Sequence, residues 1–211
     1  MTNLKMEIRD AETPLKSAEG EHLHFIPGIW VDGKACWITN AGEKIFYEEQ
    51  VLIKTHMEQI HSKIHFYNIY VSSQSTKPLN IKVLMMNHHP HPGKGHFAFI
   101  SPTDSVTYHL ADQKLNLVNA YSKGAFKKQC TILPYWNVYT DQIWANLERG
   151  SLKYQPMVKG DAASIITYEK IFAPKETVKI HCWSIMGDSK TELFSLDRSL
   201  LKNRLAFPFE K

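Results

Sequence analysis

Short runs of alternating apolar and β-branched residues, broken at roughly ten-residue intervals by proline, glycine or polar turns, constrain this chain more than any other feature. Such runs fall at 65–71, 79–86, 96–100, 106–110, 115–120, 129–133, 164–172 and 177–184. Within 79–86, Leu79, Ile81 and Val83 face one way and Asn80 and Lys82 the other, while Met85 and Met86 lie beyond the alternation. The loop 72–78, Pro102, Pro134 and Ala173-Pro174 punctuate the runs. Asp32-Gly33, set between Gly28-Ile29-Trp30-Val31 and Lys34-Ala35-Cys36-Trp37-Ile38, has the chemistry of a two-residue hairpin turn. Residues 43–61 read two ways. Phe46, Ile53, Met57 and Ile60 recur at helical spacing with Gln50 interrupting, whereas Val51, Ile53, Thr55 and Met57 alternate; the β-branched content favours strand.

This pattern predicts an all-β fold, an antiparallel β-sandwich of immunoglobulin-like or jelly-roll connectivity. Glycine-rich strand-to-helix turns and repeated strand–helix units are lacking, which argues against a doubly wound sheet. A short helix is expected near 141–148, capped at Thr140 and ending at Gly150. A C-terminal helix is expected after Ser189, which stands three residues before Glu192 in capping-box spacing, with Leu193, Leu196, Leu200, Leu201 and Leu205 as its apolar stripe. The simplest organisation is a weakly ordered arm over 1–20 and a single β-sandwich domain with a C-terminal helical segment over 21–211.

The 211 residues, 43% of them hydrophobic, suffice for one substantial core. No apolar run reaches the length of a membrane span, and the first residues lack the apolar core of a signal peptide. With only Cys36, Cys130 and Cys182, widely spaced, this favours reduced thiols and a cytoplasmic protein. Residues 1–50 hold 5 basic and 9 acidic side chains, and the remainder 20 and 12. The basic residues are scattered rather than gathered in a stripe, which disfavours nucleic acid as a partner.

Two groups of residues invite a functional reading. The chain has 11 histidines, and His88, His89, His91 and His96 crowd one Pro/Gly-held loop, with His109 beyond it. Neutral imidazoles so placed could ligate zinc or another transition metal; the plainer reading is a solvent-facing, histidine-rich loop. No other cofactor is called for. The second group is aromatic: Tyr135, Trp136, Tyr139, Trp144 and Tyr154 suit a binding surface, and equally a core. Catalytic signatures are lacking. The zinc-protease and nucleophile-elbow motifs are absent, and His181 and Cys182 point to opposite faces of one strand, with Cys182 in phase with the core. Glu58, Glu148 and Glu169 could form a glycosidase pair, but nothing selects them. The expected function is therefore a non-enzymatic module for protein–protein interaction or assembly, self-association included. The alternatives are a cupin-like metal-dependent enzyme or metal-binding domain using the histidine loop, and a binder of an anionic small molecule or carbohydrate.

Overall fold

A computed structural model of the chain describes residues 22–206 apart from 40, 41, 92, 94, 112 and 125. The arm expected over 1–20 lies outside the described residues. In chain order the strands are β1 (His24–Val31), β2 (Lys34–Trp37), β3 (Glu43–Phe46), β4 (Val51–His61), β5 (Ile64–Ser73), β6 (Leu79–His88), β7 (Phe97–Ser101), β8 (Val106–Ala111), β9 (Lys114–Ser122) and β10 (Lys127–Pro134). There follow β11 (Trp144–Asn146), β12 (Ser151–Leu152), β13 (Met157–Lys159), β14 (Ala162–Phe172), β15 (Thr177–Gly187) and a helix, α1 (Lys190–Ala206). A 5-stranded sheet has the order β10-β14-β6-β1-β2, an 8-stranded sheet the order β13-β7-β8-β9-β15-β5-β4-β3, and β11 and β12 form a small ribbon. The ladders are antiparallel.

The alternation seen in the sequence is what packs the layers. Ile29, Val31, Ile81, Val83, Met85 and Ile166 of the smaller sheet meet Ile53, Ile69, Val71, Val118, Ile180 and Cys182 of the larger in one core. The expected Asp32-Gly33 turn forms, with φ of 48° and 80°, the left-handed pair that a tight hairpin requires. The ambiguous 43–61 segment is two strands, β3 and β4, joined by a turn over 47–50, with Val51 and Ile53 fully buried on the inner face.

Each sheet is also covered on its outer side. On the larger sheet, Phe66, Tyr108, Leu117, Trp183 and Ile185 pack under Leu193 and Leu200 of α1. Glu192 donates its N–H to Ser189 Oγ at 3.2 Å, the cap read from the sequence. Asp197 locks the helix down, accepting from Trp183 Nε1 at 2.8 Å and Asn119 Nδ2 at 3.0 Å. On the smaller sheet, Trp30, Leu84, Met86, Leu133 and Ile165 pack under Val138, Ile143, Trp144, Leu147 and Leu152. Met85 and Met86 are both fully buried because β6 has a layer on either side.

The expected helix near 141–148 is a correction. Thr140 does cap, its Oγ1 accepting from Gln142 N at 3.2 Å, but one 3-10 turn (Asp141–Ile143) follows, then β11 and a turn over 147–150. The reason is tertiary. Ile143 and Trp144, adjacent in sequence, are both buried against the sheet. Trp30 Nε1 donates to the Leu147 carbonyl at 2.8 Å, and buried Lys82 donates to the Gly150 carbonyl. Gly150 takes φ 62°, and a Cβ there would lie 2.7 Å from the Trp30 ring.

One further segment changes layers. The Lys153 carbonyl accepts from Thr131 Oγ1 at 2.7 Å, and the Gln155 carbonyl accepts from Ile132 N at 2.8 Å, both on β10. The Pro156 carbonyl then accepts from Ile100 N at 2.8 Å, and β13 pairs with β7. Residues 153–159 thus join the edge of one sheet to the edge of the other, over Ala98, Ile132, Val158 and Ala162.

Candidate functional site

The histidine loop and the aromatic segment, distant in sequence, meet at one end of the smaller sheet. Register places His24 of β1 and Ala163 of β14 on either side of His88, the last residue of β6. Alternation from Leu84 and Met86 turns His88 to the outer face. There Tyr135 stacks on it with ring centroids 4.2 Å apart, and His24 meets its edge at 5.4 Å. Tyr139 stands edge-on to Tyr135 at 6.0 Å.

The aromatic turn is held firmly. Tyr135 N donates to the Asp161 carbonyl at 3.0 Å, Val138 N to the Tyr135 carbonyl at 3.0 Å, and Trp37 Nε1 to the Val138 carbonyl at 3.1 Å. Val138 is buried beneath it, while Trp136 is 66% and Tyr139 50% exposed. Of the five aromatics named from the sequence, Tyr135, Trp136 and Tyr139 therefore lie on one turn. Trp144 lies in the core beneath it, and Tyr154, 73% exposed, projects from the segment that bridges the sheets.

The imidazoles of the loop are mostly turned inward rather than toward solvent. His88, His89 and His96 are buried; His91 is exposed and donates its N–H to His89 Nδ1 at 3.2 Å. Burial pushes His88 from its ordinary 6.5 down to about 4. Asp161 near His89 moves the other way, its carboxyl raised by burial.

His96 and His109 form a relay. Ala162 N–H donates to His96 Nδ1 at 3.4 Å, which leaves the His96 proton on Nε2. That nitrogen faces His109 Nδ1 at 3.4 Å, so the His109 proton sits on Nε2, 2.8 Å from Ser164 Oγ. Complete burial holds His109 well below 6.5. The relay ties β8 of one sheet to β14 of the other. Among the described residues no group of three or more His, Cys, Asp or Glu side chains is placed to hold a metal ion.

The sequence reading missed His24, because its partner His88 is brought beside it by strand register alone. It also missed a cleft of about 450 Å³ at the end of β1, lined by His22, Phe25, Thr39, Met57, His65 and Tyr67. Its walls are stacked rings, His22 on His65 at 3.8 Å and Phe25 on Tyr67 at 4.2 Å. Burial, with His22 alongside, pushes His65 down to about 4.

No family model matches the chain, and no curated protein matches it. Among solved structures, a family GH92 inverting mannosidase from Bacteroides thetaiotaomicron is similar, with a TM-score of 0.43 and 10% identity. The likeness covers 82% of this chain and 23% of the mannosidase, so the chain spans under a quarter of that enzyme's length. Likeness at this level carries no argument about the site. The described residues form a mostly antiparallel, multi-sheet all-β structure with a C-terminal helix, none of whose helices is long and apolar enough to cross a membrane.

Proposed function

We propose that the chain is a non-enzymatic β-sandwich module that binds a partner protein through Tyr135, Trp136 and Tyr139. The observation that carries the reading is a tryptophan two-thirds exposed on a turn whose backbone is pinned at Tyr135 and Val138. Large aromatic side chains on a stiff backbone bury much area on contact and lose little conformational freedom in doing so. The His88–Tyr135 stack supports the turn from below and sets the angle at which Tyr139 is presented. A cytoplasmic setting suits the three free thiols Cys36, Cys130 and Cys182.

The test is capture by the full chain and by the Trp136→Ala/Tyr139→Ala variant, with thermal unfolding run on both. The reading expects proteins retained by the parent and lost by the variant, at an unchanged unfolding midpoint. Identical captured sets from two equally stable baits would refute it.

A further inference from the structure

At the margin opposite the 153–159 bridge, the two sheets meet through a sulfur and an amine. β2 ends the smaller sheet and β3 ends the larger. Cys36 of β2 stands opposite Ile29, and Lys44 of β3 stands opposite Ile53. Ile29 and Ile53 both belong to the core between the sheets, and cross-strand partners share a face, so Cys36 and Lys44 turn inward toward each other. Lys44 Nζ donates to Cys36 Sγ at 3.3 Å. The thiol in turn donates to the Trp37 carbonyl at 3.4 Å, which leaves the lone pairs of the sulfur to the amine.

Both side chains are half-buried and line a cavity of about 260 Å³, walled by Ile29, Val31 and Phe46. A water molecule's share of liquid volume is about 30 Å³, so hydrogen peroxide fits beside Sγ. Lys34 lines the same cavity, but its amine is held by Glu48 at 2.7 Å and Glu49 at 3.1 Å. The other two thiols differ. Cys182 is fully buried, and burial pushes its thiol up to about 12. Burial also raises Cys130, and the nearby Lys128 amine donates instead to the Ser105 carbonyl at 3.2 Å and Asn119 Oδ1 at 2.9 Å.

We propose that Cys36 and Lys44 are joined by hydrogen peroxide into a sulfenamide cross-link that clasps the two sheets at this margin. This goes beyond partner binding at Tyr135 and does not depend on it. The Cys36 sulfur attacks one peroxide oxygen, the O–O bond breaks, and the thiol becomes a sulfenic acid with release of one water. Lys44 Nζ, as the free amine, then attacks the sulfur. The S–N bond forms, the S–O bond breaks, and the hydroxyl leaves as a second water with a proton from the amine. The sulfur gives up two electrons and the peroxide takes them. The closure orders little new chain, because Nζ already touches Sγ and only residues 37–43 lie between. A dithiol reverses the step, returning thiol and amine and becoming a disulfide itself.

The full chain is treated with about 1 mM hydrogen peroxide, blocked with iodoacetamide, unfolded, and cut after Glu43 by a glutamate-specific protease, which separates Cys36 from Lys44. Mass spectrometry should find the two fragments still joined, about 2 Da lighter than their sum, and parted by dithiothreitol. Lys44→Arg keeps the charge but offers no amine, so the linked fraction should fall about tenfold or more and Cys36 should keep added oxygen. Lys34→Arg should link as the parent does. Circular dichroism confirms that each variant is folded, and the parent digest decides by itself if one is not. A parent whose Cys36 stays unmodified, or keeps oxygen in place of the link, overturns the proposal. So does a link that survives Lys44→Arg or is lost in Lys34→Arg, which assigns the sulfur to another amine. The Trp136→Ala/Tyr139→Ala variant should cross-link as the parent does, so the two readings stand or fall apart.

Discussion

His88 gives the molecule a dependence on acid that can be isolated in one substitution. Its imidazole is buried between Tyr135 and the sheet and pushed from 6.5 to about 4, chiefly by burial. A histidine whose folded pKa is depressed leaves stability untouched above pH 6.5 and removes it as pH falls from there to about 4, because the unfolded chain takes the proton first. The gap of about 2.5 pH units corresponds to about 3.4 kcal/mol once both states are protonated. At pH 5 the unfolded imidazole is almost fully charged and the folded one about one-tenth so, which gives a loss of about 2 kcal/mol relative to pH 7. His88→Phe keeps a ring against Tyr135 and removes the titration. Urea unfolding followed by tryptophan fluorescence at pH 7, 6 and 5 should show the parent losing about 2 kcal/mol more than His88→Phe between the ends of that range. His65, also depressed, owes its shift to burial and His22, so it titrates alike in both proteins and cancels in the difference. Parallel losses, within about 0.5 kcal/mol, would refute the reasoning.

Other outcomes follow from contacts already described. Gly150→Ala forces a side chain into the left-handed region and against Trp30, and should cost about 2–4 kcal/mol in chemical denaturation. Asp197→Ala strands the buried Trp183 and Asn119 donors and should cost about 2–3 kcal/mol, with faster exchange of α1 amides. Elemental analysis of untagged protein, purified without a chelator, should find zinc, nickel and copper well below one equivalent, because Ala162 and Ser164 already engage the His96–His109 pair. A stoichiometric metal lost in His96→Ala would reassign that relay as a ligand pair.

The features legible in the sequence were those with local causes. Asp32-Gly33 announces its turn through backbone preference, and Ser189 with Glu192 announces the start of α1. Val51 and Ile53 resolve to strand because Gln50 sits at φ 55° in the preceding turn, which breaks any helical phase. The features that were not legible depend on distant partners. Thr140 carries a sound cap signal, yet Trp30 and Lys82, from two different strands, hold the Leu147 and Gly150 carbonyls and so fix the turn that takes the place of the helix. Met85-Met86 looks like an end to alternation until a layer about fifty residues onward is seen to cover the second face. The candidate site is the extreme case. His24, His88 and Tyr135 belong to three separate stretches, and only strand register brings them together.

Residues 153–159 give the molecule a spine. Along that side the two layers are laced by main-chain hydrogen bonds, whereas β1 and the part of β4 beyond Thr55 face each other across a cleft. Opening fluctuations should therefore swing like the covers of a book, wide at the fore-edge and nearly still at the binding. The outward amides of Met57 and Gln59 on β4 will exchange early and those of β7, β10 and β13 late. The aromatic turn leaves directly from β10, so Trp136 keeps its station while the far margin breathes.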